Sequence, residues 1–225
     1  MTVLAIETAT AVCGVALVQD GTVRAEESVR LPNTHAERLM DLLDTVLRRT
    51  GVAVRDLDAV AVSIGPGSFT GLRIGLSVAK GLAWAHDLPV VPVPTLRALA
   101  ARAVGPSEEV LSLIPARKGE VYAQRFRTAA GGPEALGEIR VAGVVQLAQE
   151  VAGTGLLLTG EGASHVAAAA APGAVRLAEP GLRECSAASV ALLGARMVTS
   201  AGAAPAGRLE PLYVLEFRTA VPPSH

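Results

Sequence analysis

The sequence predicts an α/β fold in two lobes, and three observations lead to that class. Three β-rich apolar runs open the chain, helix-like and strand-like segments alternate after them as far as residue 104, and a shorter series begins again beyond Gly105-Pro106-Ser107. Half of the 225 residues are apolar and 18% are charged, which excludes a disordered chain and supplies a sizeable core.

Thr2 to Glu7 and Ala11 to Val18 are rich enough in Val and Leu to form strands. Asp20-Gly21 suits a two-residue hairpin turn with positive φ, so a third strand from Thr22 to about Arg30 pairs back antiparallel. From His35 to Thr50 the residues Ala36, Leu39, Met40, Leu42, Leu43, Val46 and Leu47 recur at helical spacing, and Gly51 stops the helix. Leu57 to Ile64 reads as a buried strand, Gly65 to Gly71 as a glycine loop and Leu72 to His86 as a helix. Val90 to Val93 is a strand and Thr95 to Val104 a helix. The order βββαβαβα is that of a ribonuclease H-like half-domain, the unit duplicated in sugar kinases, actin and Hsp70. The expected architecture is therefore a two-lobed actin/Hsp70/sugar-kinase-like fold with a reduced second lobe, divided into residues 1–105 and 106–225.

In the second part, strands are expected at Val110 to Ile114 and Val121 to Phe126, joined by the charged turn Arg117-Lys118-Gly119-Glu120. A Gly131-Gly132-Pro133 loop, a helix from Val144 to Val151, a strand from Leu156 to Thr159 and a helix from Ser186 to Thr199 follow. The Ala- and Gly-rich stretch 162–181 blurs the periodicity, and the alanines 167–171 read as helix filler.

Composition excludes several functions. Six aromatic residues leave few stacking platforms for bases, and a net charge of −1 is far from that of a domain gripping phosphate backbones, so any RNA is reached only through a partner. Cys13 and Cys185 form no CxxC pattern, and His35, His86, His165 and His225 have no metal-ligand spacing, so no metal or cofactor is expected. There is no GxSxG elbow. The longest uncharged stretches, 59–72 and 162–175, are too short to span a bilayer as helix, and the N-terminus lacks the pattern of a signal peptide, so a soluble cytoplasmic protein is expected.

The sharpest motif runs Gly65-Pro66-Gly67-Ser68-Phe69-Thr70-Gly71-Leu72-Arg73, from a buried strand into a helix. Its amides, the helix dipole and Arg73 could hold an anion such as a nucleotide phosphate. Equally, the glycines suit a tight strand-to-helix turn capped by Ser68 or Thr70. It has neither Walker nor GxGxxG spacing. The helix that follows is apolar or small on nearly every side, with Arg73 and Lys80 its only charges as far as Ala85, so it is either enclosed in its own lobe or covered by a second subunit. Glu7 stands where kinases of this fold class carry a phosphate-loop Asp, and a lone carboxylate there is expected to be solvated or bonded to backbone.

Ile6-Glu7-Thr8-Ala9-Thr10 with Cys13-Gly14-Val15-Ala16-Leu17, His35 at a helix start, the Gly65 to Gly75 string, Ala116 to Tyr122 and Pro211-Leu212-Tyr213 together resemble the TsaB (YeaZ) family. The resemblance is dense over 1–126 and thin over 127–205. It implies the two-lobed fold and a role in making N6-threonylcarbamoyladenosine beside the tRNA anticodon. It further implies a TsaD-like catalytic partner bound through N-lobe helices, a TsaE-like ATPase joining the pair, and a homodimer when alone. The partner-facing candidates are His35, Leu39, Leu42, Leu43, Val46, Ile74, Gly75 and Val78. TsaD-like proteins carry a His-x-x-x-His metal pair on the helix after a Val-Pro-Val strand. Here that place reads Thr95-Leu96-Arg97-Ala98-Leu99, which implies a noncatalytic subunit. Many TsaB-like sequences have Asp where Pro115 stands. The rival expectations are an autonomous nucleotide-binding kinase or ATPase using Gly65 to Arg73, and a zinc metallopeptidase.

Overall fold

A computed structural model of the chain describes residues 1–30, 35–103, 108–129, 131–201, 210–212 and 214. β1 (Thr2–Glu7), β2 (Val12–Gln19) and β3 (Thr22–Arg30) are followed by α1 (His35–Thr50), β4 (Ala59–Gly65), α2 (Phe69–His86), β5 (Val90–Pro94) and α3 (Thr95–Ala103). They build a five-stranded sheet ordered β3-β2-β1-β4-β5, in which β1 pairs antiparallel with β2 and parallel with β4. Asp20 and Gly21 adopt φ of 51° and 77°, the turn expected between β2 and β3.

The second sheet contains β6 (Glu109–Pro115), β7 (Glu120–Ala129), β8 (Gly132–Ala135) and β9 (Arg140–Gly143). After them come α4 (Val144–Val151), β10 (Leu157–Thr159), α5 (Glu161–Ala169), β11 (Arg176–Leu177) and α6 (Ala187–Ala201). Its order is β11-β10-β6-β7-β8, with β9 also paired to β7.

Alternation along the first sheet decides which helices it receives. Leu4, Ile6, Val15, Leu17, Val60 and Val62 face α1 and α2, meeting Leu39, Leu43, Val46, Leu76 and Ala79. The opposite face carries Ala5, Ala16, Ala59 and Ala61, whose small side chains let α6 come close. A Cβ on Gly194 would lie 2.5 Å from that of Ala61. α3 and α6 lie between the sheets, joining them in one core with Val110, Ile114 and Phe126. α4 and α5 cover the far face of the second sheet through Leu147, Val151 and Val166. Thus α6, late in the sequence, packs on the first sheet.

The structure departs from the sequence expectations at several places, β9 and β11 among them. α2 begins at Phe69, not Leu72, because Ser68 caps it by accepting from the Gly71 N–H at 3.1 Å. The 131–133 loop is largely strand: Gly132 and Pro133 pair with Ala129 and Thr128 as part of β8. In the blurred stretch, the alanine run is helical only to Ala169, since Pro172 disfavours helix in the residue before it. The boundary at Gly105-Pro106-Ser107 lies outside the described residues.

Candidate functional site

The turn between β1 and β2 is where the glycine string, Glu7 and the entrance to α6 converge. A Cβ on Gly67 would stand 2.1 Å from the Ala9 carbonyl oxygen, one on Gly71 2.0 Å from that of Thr8, and one on Gly75 2.2 Å from Thr8 Oγ1. The string is glycine-rich because α2 and its entry loop press directly on that backbone. Hydrogen bonds complete the junction. Ser68 N–H donates to the Ala9 carbonyl at 2.7 Å, the Thr8 hydroxyl donates to the Gly71 carbonyl at 2.8 Å, and the Gly65 N–H donates to Thr95 Oγ1 at 3.1 Å. Leu212 N–H reaches the Ile64 carbonyl at 2.7 Å, bringing the 210–212 segment across the end of β4.

Anion binding by Gly65 to Arg73 would need those amides. The N–H groups of Gly65, Ser68 and Gly71 are instead taken by Thr95, Ala9 and Ser68 respectively. The Arg73 guanidinium sits 3.9 Å over the Phe69 ring. Pro66 is buried, whereas Ser68 and Thr70 face solvent. The close approach to Thr8 and Ala9 gives these glycines the packing reason that the tight-turn alternative supplies.

Glu7 is fully buried, contrary to the solvated alternative. Its Oε1 accepts from the Ala9 N–H at 2.9 Å, the Thr10 N–H at 3.1 Å and the Thr10 hydroxyl at 3.3 Å. Its Oε2 accepts from the Ser63 hydroxyl and from Cys185 Sγ at 3.3 Å. One carboxylate thus ties β1, β4 and the residue before α6's own cap. Burial pushes its pKa above the ordinary carboxylate value, against the opposing donors from Ser63, Cys185, Ala9 and Thr10. Burial, with the Glu7 charge second, raises the Cys13 thiol to about 11 and the Cys185 thiol well above its usual value. Both are thiols, not thiolates, at neutral pH. With no open face toward solvent, Glu7 holds structure and meets no substrate.

Several partner-facing candidates turn inward. Leu39, Leu43 and Val46 pack on the first sheet, and Gly75 faces Thr8 and Ile6, so these four are covered by their own chain. Their apolar character is that of a sheet-facing line at i, i+4 and i+7. Leu42, Ile74 and Val78 are half-buried at the edge of that core. His35 opens α1, and its side chain lies outside the described ones. On α1 and α2 two large exposed apolar residues lie outside the candidates: Met40, 52% exposed, and Trp84, 90% exposed. The signal was present, since Leu72, Gly75, Leu76, Ala79 and Ala83 mark one buried line along α2 and leave Trp84 off it.

The positions corresponding to the imidazole pair of TsaD-like proteins are used by the fold. Thr95 is buried with its hydroxyl on the Gly65 amide, and Leu99 is buried between the sheets. Among the described residues no group of three or more His, Cys, Asp or Glu could hold a metal ion, and no helix is long and apolar enough to cross a membrane.

Two mixed sheets with α3 and α6 between them define the two-lobed class that includes sugar kinases. A hexokinase of the ROK type from Thermus thermophilus shares the fold at a TM-score of 0.53 and 14% identity, over 88% of this chain and 99% of that one. The model of the family described as TsaD, tRNA N6-adenosine threonylcarbamoyltransferase, matches residues 31–149. YeaZ from Pseudomonas aeruginosa superposes with a TM-score of 0.82 and 30% identity, over 95% of this chain and 99% of that one. The Escherichia coli K12 tRNA threonylcarbamoyladenosine biosynthesis protein TsaB is 44% identical over 124 residues, 54% of this chain and 53% of that protein. The chain belongs to the TsaB (YeaZ) family of tRNA threonylcarbamoyladenosine biosynthesis. The match spans about half the length of that curated relative.

Proposed function

We propose that this protein is a noncatalytic subunit in the formation of threonylcarbamoyladenosine beside the tRNA anticodon, and that it acts by docking on a TsaD-like catalytic subunit. The observation that carries this reading is the outward face of α2. There Ser77, Gly81 and Ala85 form a shallow exposed strip flanked by Trp84 on one side and by half-buried Ile74 and Val78 on the other. Met40 is exposed on α1, the helix that packs beside α2. An exposed Trp beside small residues is the composition of an interface anchor. Residues 1–105 carry the docking helices, and 106–225 supply the second sheet together with α6, which packs on the first sheet. A homodimer of the isolated chain would use the same face, a TsaE-like ATPase would join the assembled pair, and tRNA would be met only through the complex.

Trp84→Arg and, separately, Val78→Arg test the reading. Each is expected to weaken association with a TsaD-like partner by about 30-fold or more, an anchor's worth of about 2 kcal/mol, as read by sedimentation. Circular dichroism should stay unchanged in Trp84→Arg, because Trp84 is 90% exposed, and it checks that Val78→Arg, at the edge of the core, still folds. Undiminished association in both variants would refute the docking face.

A further inference from the structure

The strip on the outer side of α2 has two unlike edges. Ile74 and Val78 make one of them apolar and half-buried. On the other stand Arg73, Lys80 and Trp84, at i, i+7 and i+11, which fall within about 40° of one another around the helix axis. A surface seated on the strip therefore meets the tryptophan and two cations along a single flank.

The local sequence supplies almost no acid to neutralise that flank. Between Asp58 and Glu108 the one acidic residue is Asp87, against Arg73, Lys80, Arg97 and Arg102. Arg97 and Arg102 are engaged elsewhere, on the carbonyls of Pro133 at 2.9 Å and Glu184 at 3.1 Å. Arg73 lies 3.9 Å over the Phe69 ring, which positions the guanidinium without cancelling its charge. Among the described residues Lys80 enters no ion pair, although it is half-buried. On the neighbouring helix the balance differs: Asp44 meets Arg48 at 2.9 Å and Asp41 faces Arg38 at 3.8 Å, both within α1.

The difference constrains what can cover α2. A half-buried ammonium loses most of its remaining water when a second surface closes over it, and a cover without a counter-charge leaves it buried and unpaired. Seven residues of helix separate the two cations by about 10.5 Å along the axis.

We infer that the surface docking on α2 carries two carboxylates about 10 Å apart, one for Arg73 and one for Lys80, beside an apolar seam that takes Trp84 and the small strip. Asp or Glu at i and i+7 of a helix has that spacing. The inference rests on the docking face proposed above and adds the chemistry of its partner. The cations govern how fast the complex forms and which surfaces are rejected, whereas Trp84 governs how long it lasts.

Association of the full chain with a TsaD-like subunit of the same organism, followed by surface plasmon resonance, tests this. The wild-type association rate should fall about tenfold between about 50 and 500 mM salt. Lys80→Glu and Arg73→Glu should each slow association about tenfold at the lower salt, flatten its salt dependence and change dissociation less than about twofold. Lys80→Arg should keep the wild-type rate. Trp84→Ala should instead speed dissociation about tenfold and leave association within about twofold. Circular dichroism checks that each variant folds. Unchanged association in both charge reversals, with faster dissociation in Trp84→Ala, would overturn the acidic partner and leave the docking face standing. No effect of any substitution would overturn both. If Lys80→Glu altered only self-association of the isolated chain, the flank would belong to a second copy and the inference would fall.

Discussion

Glu7→Ala is expected to cost about 3–5 kcal/mol of stability, because it strands five donors in a fully buried site. The N–H groups of Ala9 and Thr10, the Thr10 and Ser63 hydroxyls and the Cys185 thiol all lose their acceptor, and α6 loses one of its ties to the first sheet. Glu7→Gln separates charge from shape. Because burial raises the pKa of Glu7 in the folded protein, the group's favourable contribution is fully present below the ordinary glutamate value of 4.5 and is lost as pH rises through the folded value. The melting temperature of the wild type minus that of Glu7→Gln should therefore fall as pH is raised from about 4 toward neutrality. Thermal unfolding followed by circular dichroism measures it. A difference that does not vary with pH would show that the carboxylate's charge is not strained by its burial.

The second large effect is expected at Gly71. Alanine there puts a Cβ 2.0 Å from a backbone oxygen of Thr8, where no flexible side chain can yield, and the β1–β2 turn carrying the Glu7 junction must shift. A loss of about 3 kcal/mol or more, or failure to fold, is the expected outcome. Gly81→Ala is the matched control on the same helix, since a Cβ there meets nothing within 4 Å. It should stabilise the protein by up to about 1 kcal/mol. Urea titration of both variants distinguishes a packing glycine from a merely flexible one. Equal behaviour of the two would contradict the close approach.

Local pattern made much of the first lobe legible. β1 to β3 and α1 follow from apolar runs, an Asp-Gly turn and one helical stripe, all decided within a few residues of each other. What was not legible depended on partners far along the chain. Glu7 reads as an ordinary strand-end carboxylate until Ser63 and Cys185, 56 and 178 residues away, arrive beside it. The glycines at 67 and 71 suggest an anion cradle until Thr8 and Ala9 occupy the space in front of them. Leu39, Leu43 and Val46, partner-facing on the family resemblance, stand at the centre of α1's apolar stripe, and that centre belongs to the sheet. On α2, apolar on nearly all sides, the line of Leu72, Gly75, Leu76, Ala79 and Ala83 is easily missed, although it leaves Trp84 outside it. β8 and β9, four residues each, have too little sequence contrast to stand out.

Trp84 has an optical consequence as well. It is the one tryptophan in the chain and is almost wholly in water, so the protein's indole emission reports from a single address at the proposed contact. Complex formation over α2 should move that emission to shorter wavelength with no dye attached. A tryptophan-free version of the catalytic partner would make the titration a direct readout of occupancy.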